Sequence, residues 1–112
     1  MNSLVRSLLL GGSMIAAVPA VHAIDIARAN ELVRQRGCMA CHAADRRLVG
    51  PSYRDIAQRY AGQTDVATQV AQRIQRGSSR VWGPVPMPPV AGLSDADALL
   101  LARWALAGAP SP

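Results

Sequence analysis

The tightest constraint on this chain is one run of five residues, Cys38-Met39-Ala40-Cys41-His42. It holds the only two cysteines in 112 residues. No disulfide-rich framework and no four-cysteine zinc site can be built from them. Three chemistries use a C-x-x-C pair. A thioredoxin-type redox pair sits in a βαβ context, and this chain has almost no strand pattern. A structural zinc site takes about four protein ligands, whereas the run supplies two thiols and one imidazole, and no carboxylate is spaced to complete the set. The third chemistry is covalent haem attachment, whose spacing is C-x-x-C-H. Two thiols separated by two residues can each add to a vinyl group on one edge of a haem, forming thioethers. The next residue then lies under the iron and offers an imidazole nitrogen. On this reading Cys38 and Cys41 anchor one haem c, and His42 is its proximal axial ligand.

The rest of the chain agrees with a fold built around such a group. There is no Phe, and the aromatics are Tyr53, Tyr60, Trp82 and Trp104 alone. A small domain struggles to bury enough apolar surface, and a large flat ring would supply what the side chains lack. The periodicity is helical throughout, so the expected class is all-α, with about four helices around one haem. Asp25 caps a helix over residues 26–36 that stops at Gly37, with Ala29, Leu32 and Val33 as its apolar stripe. A second helix is expected from Pro51, a residue suited to a first helical position, with Tyr53, Ile56, Ala57 and Tyr60 on one face. A third follows Thr64, stacks Val66, Val70 and Ile74 at i, i+4, i+8, and ends at Gly77. A fourth starts at Ser94, whose spacing to Asp97 resembles a capping box, and runs to about Ala107 with Leu100, Leu101 and Trp104 inward. The tail 108–112 is expected to fray.

The first 23 residues read as an address. Residues 8–18 form an apolar stretch broken by Gly11, Gly12 and Ser13, followed by Pro19 and by Val21-His22-Ala23. This is the pattern of a secretory signal peptide cleaved after Ala23. An uncleaved anchor is the alternative, but the run falls well short of the roughly 20 apolar residues that span a bilayer. Cleavage leaves residues 24–112 as one domain. His42 is then the one histidine, and Met39 and Met87 are the only methionines.

That subtraction bears on the second axial position. Met39 lies inside the attachment loop and cannot swing to the other haem face, so Met87 is the soft ligand left. It sits in a long segment, 77–93, stiffened by Pro84, Pro86, Pro88 and Pro89, each of which fixes φ and lacks an N–H. Long loops in a small domain are usually functional or disordered. Gap-filling in the core is the ordinary alternative for a methionine.

With these residues in view, the chain resembles the small class I cytochromes c of bacteria, of the cytochrome c-551 type. The resemblance is carried by Gly37-Cys38-Met39-Ala40-Cys41-His42-Ala43, Leu48-Val49-Gly50-Pro51-Ser52-Tyr53, Ala71-Gln72-Arg73-Ile74, Leu101-Ala102-Arg103-Trp104 and above all Val81-Trp82-Gly83-Pro84-Val85-Pro86-Met87-Pro88-Pro89. It implies the class I cytochrome c fold and Met87 as distal ligand. It implies that the Pro51 carbonyl accepts a hydrogen bond from the His42 ring, and that Arg73 and Trp82 hold the haem propionates. Without the resemblance, Arg73 reads equally as a solvated helix charge and Trp82 as ordinary packing. The family often carries Asn just after Met-Pro-Pro, near the Met sulfur; here that residue is Val90, which leaves the sulfur's surroundings apolar.

Two axial ligands would leave the iron no open position, which points to outer-sphere electron transfer and away from an enzyme. All twelve cations are Arg, so there is neither a Schiff-base lysine nor a Walker-type P-loop. Twelve arginines against seven acids give +5, suited to steering toward an acidic redox partner. Only Arg46 and Arg47 are adjacent, so no nucleic-acid tract is present. The expected protein is a monomeric, periplasmic, soluble carrier without stable membrane association. The resemblance implies redox partners among reductases, oxidases and the quinol-oxidising complex. A dedicated haem subunit of a periplasmic dehydrogenase would share every motif. A sensor or peroxidase-like enzyme, in which Met87 leaves, is the third reading.

Overall fold

The computed structural model describes residues 11–17, 23–63 and 65–112. The cleavage site expected after Ala23 involves residues 18–22, and Thr64 precedes the third helix; both lie outside the described residues. Four helices follow in order: α1 Ile26–Arg36, α2 Tyr53–Arg59, α3 Val66–Arg76 and α4 Asp95–Leu106. A short 3₁₀ turn, Cys38–Ala40, continues from α1. Among the described residues there is no strand, only two isolated bridges, His42 with Arg47 and Ser78 with Met87. No described helix is long and apolar enough to cross a membrane.

The helix ends follow their local chemistry. The Asp25 carboxylate accepts the Arg28 N–H at 2.9 Å and starts α1. Gly37, at φ 67°, closes it, its N–H donating to the Arg34 and Val33 carbonyls. The expected start of α2 needs correction. Pro51 is not its first residue. Ser52 is the cap, its hydroxyl accepting the Asp55 N–H at 3.0 Å, and the helix proper begins at Tyr53. A hydroxyl can satisfy an orphan N–H and a proline ring cannot, so the boundary falls after Pro51. Its carbonyl is thereby outside the helical ladder and free for another donor. Ser94 caps α4 in the same way, with the Asp97 N–H at 3.1 Å.

α4 is the central element, with α1, α2 and α3 each packed on it. One core cluster joins Leu32, Val33, Tyr53, Ile56, Leu101 and Trp104. A second joins Ala71 of α3 to Ala98 and Ala102 of α4, small residues that let the helices approach closely. Leu101 and Trp104 are inward as expected, while Leu100 is only half-buried and the alanines fill the face against α3. The tail is a second correction. The Pro110 carbonyl accepts both the Trp104 Nε1–H at 2.9 Å and the Asn30 side-chain amide at 3.1 Å. The chain beyond α4 is therefore pinned back on the helices through residue 110. The buried indole needs an acceptor and this carbonyl supplies it, while the Asn30 amide, which also donates to the Ile26 carbonyl at 2.8 Å, adds a second bond to it.

Candidate haem site

The turn after α1 builds the site. Gly37 reverses the backbone, and the Cys41 and His42 N–H groups both donate to the Cys38 carbonyl, at 3.2 and 3.1 Å. This gathers Cys38, Cys41 and His42 at the wall of a single mostly apolar cavity of about 550 Å³. That size suits a small-molecule or cofactor site. Both cysteines are free and half-buried.

The imidazole is held from one side. His42 Nδ1 lies 2.7 Å from the Pro51 carbonyl oxygen. A carbonyl only accepts, so Nδ1 carries the proton and Nε2 keeps its lone pair. Gly50 makes room for the ring: a Cβ there would stand 2.7 Å from Cε1 and 3.0 Å from Nδ1 of His42. The Gly50 N–H closes the loop onto the Cys41 carbonyl at 2.8 Å. Tyr53 backs the imidazole at 5.4 Å between ring centroids, and Trp104 meets Tyr53 edge-on at 4.9 Å. Burial pushes the Tyr53 phenol well above its ordinary value, so it stays neutral.

The 77–93 segment brings Met87 to the same cavity. Ser78 and Met87 exchange backbone hydrogen bonds at 3.0 and 2.9 Å, and the Val90 N–H donates to the Ile74 carbonyl at 2.9 Å. Gly77, at φ 77°, permits the turn; a Cβ there would stand 2.7 Å from the Met87 carbonyl oxygen and 3.0 Å from the Pro89 nitrogen. Arg73 and Trp82 line the cavity as well. Arg73 Nη1 donates to the Tyr60 hydroxyl at 2.9 Å. Trp82 stands edge-on to Tyr60 at 6.3 Å, with the Arg59 guanidinium 4.3 Å from its own ring centroid.

All seven residues singled out in the sequence therefore meet around one cavity: Cys38, Cys41, His42, Pro51, Arg73, Trp82 and Met87. Sequence reasoning missed Gly50, Tyr53 and Tyr60 as parts of its lining, and Gly77 as the turn packed against the Met87 backbone. Gly77 read only as a helix stop and the tyrosines only as an apolar helix face. Gly50, immediately before Pro51, carried a signal in its lack of a side chain.

The donor set fits a covalently held haem and not the other two chemistries. A redox-active C-x-x-C pair sits in a βαβ context, and the described residues form four helices and no strand; burial also pushes the Cys38 thiol up. Among the described residues no three His, Cys, Asp or Glu side chains converge as a metal cage. Two free thiols, one imidazole with a free Nε2 and an apolar slot cleared by a glycine suit a ring bonded at one edge and ligated from beneath.

A fold of four helices wrapped on such a slot defines a single-haem protein with thioether attachment. The sequence model of the cytochrome c family matches residues 26–106, and the chain belongs to that family. It is similar to cytochrome c-551 of Pseudomonas aeruginosa, 52% identical over 75 residues, which cover 67% of this chain and 71% of that protein. It is 47% identical to cytochrome c-552 of Hydrogenobacter thermophilus over 93 residues, 83% of this chain and 93% of that one. The crystal structure of Nitrosomonas europaea cytochrome c552 superposes with a TM-score of 0.66 at 47% identity, covering 70% of this chain and 98% of that chain. The protein is thus a small class I c-type cytochrome with one covalently attached haem c, an electron carrier and not an enzyme.

Proposed function

We propose that this protein is exported with cleavage after Ala23 and carries single electrons between respiratory redox proteins in the periplasm, with His42 and Met87 as the two axial ligands. The observation that carries the reading is the meeting of the Cys38–Cys41–His42 turn and Met87 at one cavity. The haem iron supplies a one-electron couple. The chain's part is to hold that couple still. Cys38 and Cys41 fasten the ring's edge. The 2.7 Å contact to Pro51 fixes the His42 tautomer and aims Nε2. Arg73 keeps guanidinium donors beyond the one on Tyr60, and with Trp82 it holds the propionates. Met87 closes the remaining position, and Met/His ligation raises the potential. The apolar wall does the same, because a low dielectric disfavours the extra charge of the oxidised iron. After loss of Arg6, eleven arginines still face seven acids. Docking would therefore be to an acidic face, through the small, weak contact typical of electron-transfer encounters.

The test is the visible spectrum of the purified mature protein. The oxidised form is expected to show the weak far-red band of a Met sulfur on ferric iron, and the reduced form is expected not to bind carbon monoxide at neutral pH. A haem spectrum without that band means an open site and ends the carrier reading in this form. A finer expectation concerns Val90, which lines the cavity. Val90→Asn places a donor near the sulfur and is expected to shift the midpoint potential; an unmoved titration curve would show that Val90 plays no such part.

A further inference from the structure

Three arginines from three separate places reach the segment that carries Met87. Arg59, the last residue of α2, donates through Nη1 to the Val81 carbonyl at 2.7 Å. Arg47, in the connection after His42, donates through Nη2 to the Trp82 carbonyl at 2.9 Å. Arg36, the last residue of α1, spans two successive carbonyls, Ala91 at 2.6 Å and Gly92 at 3.2 Å. The four accepting carbonyls flank Met87 on both sides. We infer that Arg36, Arg47 and Arg59 are positioning residues: they clasp the 77–93 segment onto the rest of the fold and so keep the Met87 sulfur at its place in the cavity. The inference rests on the reading of Met87 as the distal ligand.

The segment needs such a clasp. Prolines 84, 86, 88 and 89 have no N–H, so the Ser78–Met87 bridge cannot extend into a ladder. The backbone bonds seen within and around it are that exchange and the single Val90–Ile74 bond. The ordinary account of Arg36 and Arg59 is that cations suit a helix C-terminus. It does not explain their reach. The end of α1 is already closed by the Gly37 N–H, and both guanidiniums extend 22 or more positions along the chain to carbonyls of the Met87 segment. The guanidinium also suits the task chemically. It is charged at every ordinary pH and presents a rigid fork of donors, so one side chain can hold two carbonyls, as Arg36 does.

The experiment uses the oxidised holoprotein and imidazole as the competing ligand, titrated while the far-red band is followed. Imidazole binds only when the sulfur has left, so its apparent affinity reads the open fraction. Arg47→Gln and Arg59→Gln are each expected to raise that affinity about fivefold, the scale of one exposed hydrogen bond, and Arg36→Gln, which gives up two, by at least as much. The triple variant is expected to raise it about a hundredfold if the losses add. Asp25→Ala is the control: it removes the α1 cap and lowers overall stability without touching the segment, and it is expected to leave imidazole affinity unchanged. Arg59→Lys, which can still serve one carbonyl, is expected to return most of the way to the parent, whereas Arg36→Lys cannot span two. If the three Gln variants bind imidazole no better than Asp25→Ala does, the clasp is refuted while Met87 ligation stands. If the parent itself lacks the far-red band, the ligation reading fails, and the role assigned to the clasp fails with it.

Discussion

Met87→Ala is expected to abolish the far-red band of the oxidised protein and to lower the midpoint potential by ~0.2 V, a fraction of the range that axial-ligand choice covers. The haem stays attached, because Cys38 and Cys41 are untouched. The fold also stays, because the Ser78–Met87 exchange uses backbone atoms only and the side chain is only half-buried. The reduced variant is then expected to bind carbon monoxide, in contrast to the closed site proposed for the parent. Spectra and a redox titration of the pair check all three. Persistence of the band in the variant would remove Met87 from the iron, and no other methionine of the 24–112 domain lines the cavity.

Trp104→Ala is expected to cost about 3–5 kcal/mol of folding stability, a large part of the roughly 5–15 kcal/mol that holds a domain together. Trp104 is 3% exposed, meets Tyr53 edge-on at 4.9 Å and secures the tail through its Nε1–H on Pro110. Truncation opens a cavity beneath the ring that backs His42. The thermal midpoint of the holoprotein is the measurement, with a drop of ~12–40 °C expected at about 4–8 °C per kcal/mol for a domain of this size. Trp104→Phe keeps most of the packing and loses the hydrogen bond, so it is expected to cost about 1 kcal/mol. Equal losses for the two variants would mean that the indole N–H, and not the ring, carries the effect.

Much of this was legible in the chain itself, and the reason differs from residue to residue. Asp25, Gly37, Ser94 and the stripe of Ala29, Leu32 and Val33 were readable because caps and helical faces depend on neighbours three or four positions away. Pro51 was misread as a helix start because proline is tolerated both inside the first turn and just outside it; the choice went to Ser52, whose hydroxyl reaches the Asp55 N–H. The tail was misread because its Pro110 carbonyl finds a partner in Asn30, 80 positions away. The arginines carried no local sign of their role. Arg36, Arg47 and Arg59 look like any solvated charge until the 77–93 segment folds across them.

The chain alone therefore determined the cofactor and the helices. The spacing of Cys38 and Cys41 suits bonds to one edge of a rigid ring, and helical periodicity is a local property of the backbone. Tertiary structure alone decided how the side chains around the cavity are held. The slot beside Gly50, the Gly77 turn against the Met87 carbonyl and the Arg36, Arg47 and Arg59 contacts all join atoms distant in sequence. Such pairings leave no periodic trace, because backbone carbonyls are alike in every residue and only the packed fold chooses among them.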